Sequence, residues 1–112
     1  MIDAPVKGVI YAESMEVAFD DQSLDQLETD PKFTGGFGDA LVSAYRRAIL
    51  HIRAASDERT LYARRSFRFE KLSGDREGQH SMRLNDQWRL IVKIAGDHPR
   101  KTIRVIEIVD YH

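Results

Sequence analysis

Two hydrophobic periods meet near Arg65, and no single type of secondary structure accommodates both. Leu41, Tyr45, Ala48, Ile49 and Ile52 recur every three or four residues, the stripe of an amphipathic helix. After Arg65 the period is two: Phe67 and Phe69 alternate with Arg68 and Glu70, and Met82 and Leu84 with Ser81 and Arg83. Trp88, Leu90, Val92 and Ile94 continue the alternation, with Gln87, Arg89, Ile91 and Lys93 opposite. The apolar run Ile103 to Val109 reads as a last strand. Helices first and then a meander of strands predict an α+β domain, with N-terminal helices packed on an antiparallel sheet.

Local signals divide the chain further. Met15 to Phe19 has the alternation of a short strand. Ser23 suits an N-cap, with Leu24 and Leu27 on one face of a short helix behind it. Pro31 and Gly35-Gly36 break the chain, and Asp39 is placed to cap the longer helix. Ser73-Gly74-Asp75 reads as a turn, Asn85-Asp86 as a tight two-residue turn, and Ala95 to Lys101 as a loop. Residues 1–14 are expected to be a leader or a non-native extension, and 15–112 the domain.

At 112 residues the chain is long enough for one core. It has no cysteine, which excludes disulfides and thiolate metal sites. His51, His80, His98 and His112 lack the short spacing of a zinc site, so neither metal nor cofactor is expected. No signal or membrane-spanning segment is read, and a cytoplasmic protein without a membrane partner is expected. The net charge of −1 conceals an asymmetry: residues 1–38 hold eight acids and two bases, residues 39–112 ten acids and fifteen bases, twelve of them arginine. Arginine presents a planar fork of donors to phosphate oxygens. A near-neutral total with a basic body favours a focused polyanion site over general coating of nucleic acid.

The alternation keeps Arg68, Arg83 and Arg89 off the apolar sheet face. The tripeptide Asp110-Tyr111-His112 is expected at the end of the last strand, beside them. Such a surface suits RNA cleavage without metal: a base takes the ribose 2′-hydroxyl proton, an acid protonates the leaving 5′-oxygen, and a cation steadies the phosphate. An imidazole titrates near neutrality, so His112 is expected to serve as acid or base. Arg89 would hold the phosphate, Tyr111 would stack on a base or transfer a proton, and Asp110 would orient a neighbour. Arg46, Arg47, His51 and Arg53 on the long helix read as a solvated face, and Trp88 as core.

The segment from Phe69 through Gly74-Asp75-Arg76 to Gly78, then Ser81 through Asn85-Asp86-Gln87-Trp88-Arg89, then Asp110-Tyr111-His112, resembles the HigB branch of the RelE/ParE toxin superfamily over residues 15–112. The resemblance implies a RelE-like fold and the toxin of a type II toxin–antitoxin pair, neutralised by a HigA-type helix-turn-helix antitoxin. It also implies cleavage of messenger RNA on the ribosome by 2′-hydroxyl attack. Arg89 matches the family's phosphate-contacting arginine, and Asp110, Tyr111 and His112 its terminal active-site group. Many members carry His-Pro-Leu-Lys where this chain has Glu70-Lys71-Leu72-Ser73. Glu70 would then be the alternative base, with Lys71 or Arg68 supplying the lost cation and Arg83 a further RNA contact. ParE-type relatives, which inhibit DNA gyrase without catalysis, and a degenerate toxin are the competing readings.

Overall fold

The stripe of the long helix is the centre of the core. In the computed structural model, which describes residues 14–97 and 100–111, Tyr45, Ala48, Ile49 and Ile52 are fully enclosed. They lie on α2 (Asp39–Ala54), preceded by α1 (Gln22–Thr29) and followed by the short α3 (Glu58–Ala63). The strands are β1 (Glu16–Phe19), β2 (Glu70–Lys71), β3 (His80–Arg83), β4 (Trp88–Ala95) and β5 (Thr102–Asp110). They form one sheet in the order β1-β5-β4-β3-β2. Leu24 and Leu27 of α1 and the α2 stripe cover one face, meeting Met82, Leu90, Val92, Ile103 and Val105. Truncating any of these fully buried aliphatics would cost about 2–5 kcal/mol. No described helix is long and apolar enough to cross a membrane.

The α+β class and its helix-on-sheet layering hold, with one addition. Strands β2 to β5 are antiparallel, whereas β1 lies parallel to β5 with Val17 opposite Ile103. The sheet is mixed because β1 reaches β5 only after the chain has crossed the helices and run through the meander.

Several local expectations need correction. Phe67 and Phe69 are both buried, as their spacing requires, yet they are not in a strand. Arg65–Phe67 is a 3-10 turn, Arg68 is left-handed at φ 45° and ψ 49°, and β2 begins only at Glu70. Asp21, not Ser23, caps α1, accepting from the Ser23 amide at 2.9 Å. Gly38 precedes α2 and Asp39 is its first residue, with no side-chain cap. The Leu84 amide donates to the Trp88 carbonyl, so Asn85, Asp86 and Gln87 form a three-residue turn, fastened by Asn85 Oδ1 to the Gln87 and Trp88 amides. Trp88 is half-buried, edge-on to Phe37. Helix α3 has no periodic signature in six residues; Asp57 caps it, and Leu61 is its buried anchor.

One irregularity positions the site. Ile91 pairs with Glu107 but Val92 with Val105, leaving Ile106 as the extra residue of a β-bulge. The bulge resets the phase of β5, so Ile103, Val105 and Ile108 all meet the core. Glu107 and Val109 therefore share the face turned away from the helices with Ile91 and Arg89.

Candidate functional site

The face of the sheet turned away from the helices carries Ser81 and Arg83 from β3, Arg89 and Ile91 from β4, and Glu107 and Val109 from β5. Arg83 and Arg89 are directly opposite each other. Like charges at that spacing repel, and the structure separates them. The Arg83 guanidinium is paired with Asp86 on the turn. Arg89 is buried, donates to the Asn85 carbonyl at 3.1 Å, and lies 4.1 Å from the centre of the Tyr111 ring. That cation–π contact holds the guanidinium plane under an exposed aromatic.

Tyr111 reaches this position because β5 carries Asp110 opposite Trp88, and the Tyr111 amide then donates to the Gln87 carbonyl at 2.6 Å. Gln87 also donates through Nε2 to Asp110 Oδ2 at 3.0 Å. The Asn85–Gln87 turn thus anchors the end of β5, linking two segments singled out in the sequence.

Two cavities flank the Arg89–Tyr111 stack. One, of about 550 Å³, is lined by Arg65, Ser66, Arg68, Arg83, Asp86, Arg89 and Tyr111. The other, of about 240 Å³, has Ile91, Val109 and Leu72 as apolar lining, with Glu70, Arg76, Ser81 and Asp110 around them and the same Arg89 and Tyr111. Ser81 Oγ is buried there without a hydrogen-bond partner among the described residues. Arg76 is held by Glu107 at 2.6 Å and by Gln79 at 3.0 Å.

Arg68, Arg83, Arg89 and Tyr111 therefore meet around one cavity, and Glu70 and Asp110 join Arg89 and Tyr111 around its neighbour. Lys71 goes elsewhere. It lines a separate cavity of about 400 Å³ with Leu72, Ser73 and His80, so of the two cations proposed to replace the family's lysine only Arg68 is at the arginine cluster. His112 lies outside the described residues. Arg65 and Ser66 were not foreseen, because they occupy a turn without periodicity; the Arg64-Arg65 doublet just before the change of period is the only sign of them in the sequence.

Ion pairing separates the arginines into two groups. Arg53 is bound to Glu28, Arg59 to Asp57, Arg76 to Glu107 and Arg104 to Asp20. Arg46 is taken up by the carbonyls of Leu27, Asp30 and Phe33. Among the described residues, Arg65, Arg68 and Arg89 form no ion pair, and Arg83 pairs only with a carboxylate that is itself 98% exposed. The cavity thus concentrates uncompensated positive charge and its donors, an arrangement suited to a phosphate. Among the described residues no group of three or more His, Asp or Glu side chains converges as a metal site would require.

No family model matches the sequence, and no curated protein sequence matches it either. Solved structures do. A YoeB/ParE toxin from Agrobacterium tumefaciens superposes with a TM-score of 0.53 at 19% identity, over 88% of this chain and 100% of its own. The fold is that of the YoeB/ParE toxins. A YoeB–YefM complex from Staphylococcus aureus gives 0.52 at 19% identity, over 88% and 97%. YafQ from E. coli strain BL21(DE3) gives 0.53 at 11% identity, over 88% and 94%. At these identities the likeness establishes the YoeB/ParE toxin fold, on which this chain's own arginine cavity is built.

Proposed function

We propose that the protein is the toxin of a type II toxin–antitoxin pair, acting in the cytoplasm as a ribosome-dependent messenger RNA endonuclease of the HigB kind. The observation that carries this reading is the convergence of Arg65, Arg68, Arg83 and Arg89 on one cavity beside Tyr111, at the strand end that leads into His112. The toxin fold supports it independently. The partner in this reading is a HigA-type antitoxin; the S. aureus neighbour was itself solved with a second protein, YefM.

Each step of the reaction has a group to perform it. The scissile phosphate sits among the guanidiniums, with Arg89 fixed under Tyr111 and Arg68 and Arg83 at the rim. Glu70 or His112 takes the proton from the 2′-hydroxyl, whose oxygen then bonds to phosphorus. The bond from phosphorus to the 5′-oxygen breaks, and His112 supplies the proton for the departing oxygen, leaving a 2′,3′-cyclic phosphate and a 5′-hydroxyl. Charge grows on the phosphate oxygens as the nucleophile approaches, and preorganised cations stabilise that charge more than the ground state. Tyr111, exposed on its outer side, offers its ring to a neighbouring base.

Primer extension on message bound to purified ribosomes tests the reading. The unmodified protein should cut only ribosome-bound message, and His112→Ala should abolish the cuts. Arg68→Ala should slow them by about 10²–10³-fold, the range for losing one preorganised donor to a developing oxyanion. Intact message with the unmodified protein, together with inhibited supercoiling by purified gyrase, would establish the ParE-type alternative instead.

A further inference from the structure

The arginine cavity continues past Ser66. On the other side of that residue a cleft of about 230 Å³ lies between α2 and the 65–67 turn, and Ser66 and Arg83 line both spaces. Its remaining polar lining is Arg47 and His51 from α2 and Arg64 from the end of α3, with no carboxylate among them. Arg47 and His51 are four residues apart and so share a helix face. Arg46 and Arg53, a step round the same helix, are occupied by the α1 carbonyls and by Glu28. Arg47, by contrast, has no ion-pair partner among the described residues.

Arg64 is held in place without being neutralised. Its Nη2 donates to His51 Nε2 at 3.3 Å, and its guanidinium lies 5.6 Å from the Phe67 ring centre. His51 in turn sits edge-on to Phe67 at 5.3 Å. An imidazole and an aromatic ring fix the guanidinium's position while leaving its charge and its other donors for a ligand.

We propose that this cleft is a second RNA phosphate site, which binds the strand beyond the phosphodiester placed at Arg89. The inference rests on the function proposed above and extends it: the substrate is an extended single strand whose successive phosphates are shared out across Arg83. Guanidiniums without a carboxylate partner among the described residues, Arg47 and Arg64 in the cleft and Arg65, Arg68 and Arg89 in the cavity, line two adjoining spaces that meet at Arg83, as the successive phosphates of a polynucleotide require. An acidic segment of an antitoxin is the competing occupant, and the experiment separates the two.

Uncleavable 2′-O-methyl RNAs, a trinucleotide and a twelve-residue strand, are titrated against the full-length protein by fluorescence anisotropy over a range of salt concentrations. The proteins compared are the unmodified chain, Arg47→Gln/Arg64→Gln and Arg68→Ala; Arg47 and Arg64 are exposed, so the double variant keeps the core. The double variant should bind the twelve-residue strand about tenfold more weakly, as for a loss of ~1.4 kcal/mol. Its slope of log affinity against log salt should shrink by about 1.4, two phosphate contacts at roughly 0.7 each for single strands. Its affinity for the trinucleotide should not change. An unchanged slope for the long strand, with Arg68→Ala still weakening both RNAs, would overturn the second site and leave the proposed function standing. An unchanged RNA slope with weakened antitoxin binding would assign the cleft to the antitoxin and equally overturn it. If Arg68→Ala affects neither RNA, the arginine cavity is not the RNA site, and both readings fall together.

Discussion

Arg68 adopts a backbone conformation that its side chain disfavours. Its φ of 45° is the only positive value among the described non-glycine residues. For an L-residue with a Cβ this costs about 1–2 kcal/mol. The conformation turns the chain from the 65–67 turn into β2 and leaves the side chain lining the arginine cavity, with no ion pair to offset the strain. Strain of this kind is held where function uses it. Glycine would accept the same backbone, so Arg68→Gly should raise stability by about 0.5–1 kcal/mol in urea denaturation. The same variant should bind single-stranded RNA more weakly. A drop in stability would show that the arginine side chain supports the fold, contrary to this account.

At the scale of the elements, α2 assigns neighbouring arginines to different tasks. Arg46 projects back to α1 and donates to the carbonyls of Leu27, Asp30 and Phe33 at 2.9, 3.0 and 3.2 Å, closing a helix end that would otherwise keep its acceptors unsatisfied. Arg53 grips Glu28 on the same helix, but its side chain is 46% exposed. Charged hydrogen bonds to half-buried acceptors are worth more than a solvated ion pair. Arg46→Met should therefore cost about 1.5–3 kcal/mol, and Arg53→Met no more than about 1 kcal/mol, compared by urea midpoints. By periodicity alone both, with Arg47 and His51, belong to one solvated face of the helix. Periodicity reports which residues meet the core; it does not report what a polar residue touches across the molecule. For the same reason it found the buried pair Phe67 and Phe69 but not the 3-10 turn that carries them, nor the bulge at Ile106. The arginines of the cavity were legible because Arg83 and Arg89 fall at outward positions of well-formed strands. Arg65, on a turn, has no such marker. Adjacent positions on a strand point to opposite faces, which explains why Glu70 and Lys71 line different cavities.

At the scale of the whole molecule, the acidic leading segment and the basic body are joined by long-range pairs, Asp20 with Arg104 and Glu28 with Arg53, while Arg65, Arg68 and Arg89 of the cavity form no ion pair among the described residues. Guanidiniums do not titrate in the accessible range, so acid sensitivity originates elsewhere in the fold. His80 is buried, stacked on Phe69 at 4.8 Å with Nε2 3.1 Å from the Tyr62 hydroxyl. Burial first, and then the charge of Lys71, hold the His80 imidazole below its ordinary 6.5. Below that value the unfolded chain takes up a proton that the folded chain refuses, so stability is full above about 6.5 and falls as the pH drops beneath it. The slope for one proton is at most about 1.4 kcal/mol per pH unit. Glu58 governs a second, lower step. Its hydrogen bonds from Lys101, at 2.8 and 2.9 Å, keep the carboxyl below its ordinary 4.5. The stabilisation it gives is therefore present above 4.5 and is lost as the pH falls through the folded value. Urea midpoints between pH 2 and 8 should show both steps. His80→Phe preserves the stacking on Phe69 and should flatten the curve between pH 5.5 and 7 while leaving the lower step, whereas Lys101→Met should reduce the lower step alone. A His80→Phe protein that lost as much stability between pH 7 and 5.5 as the unmodified one would place the upper step on another group.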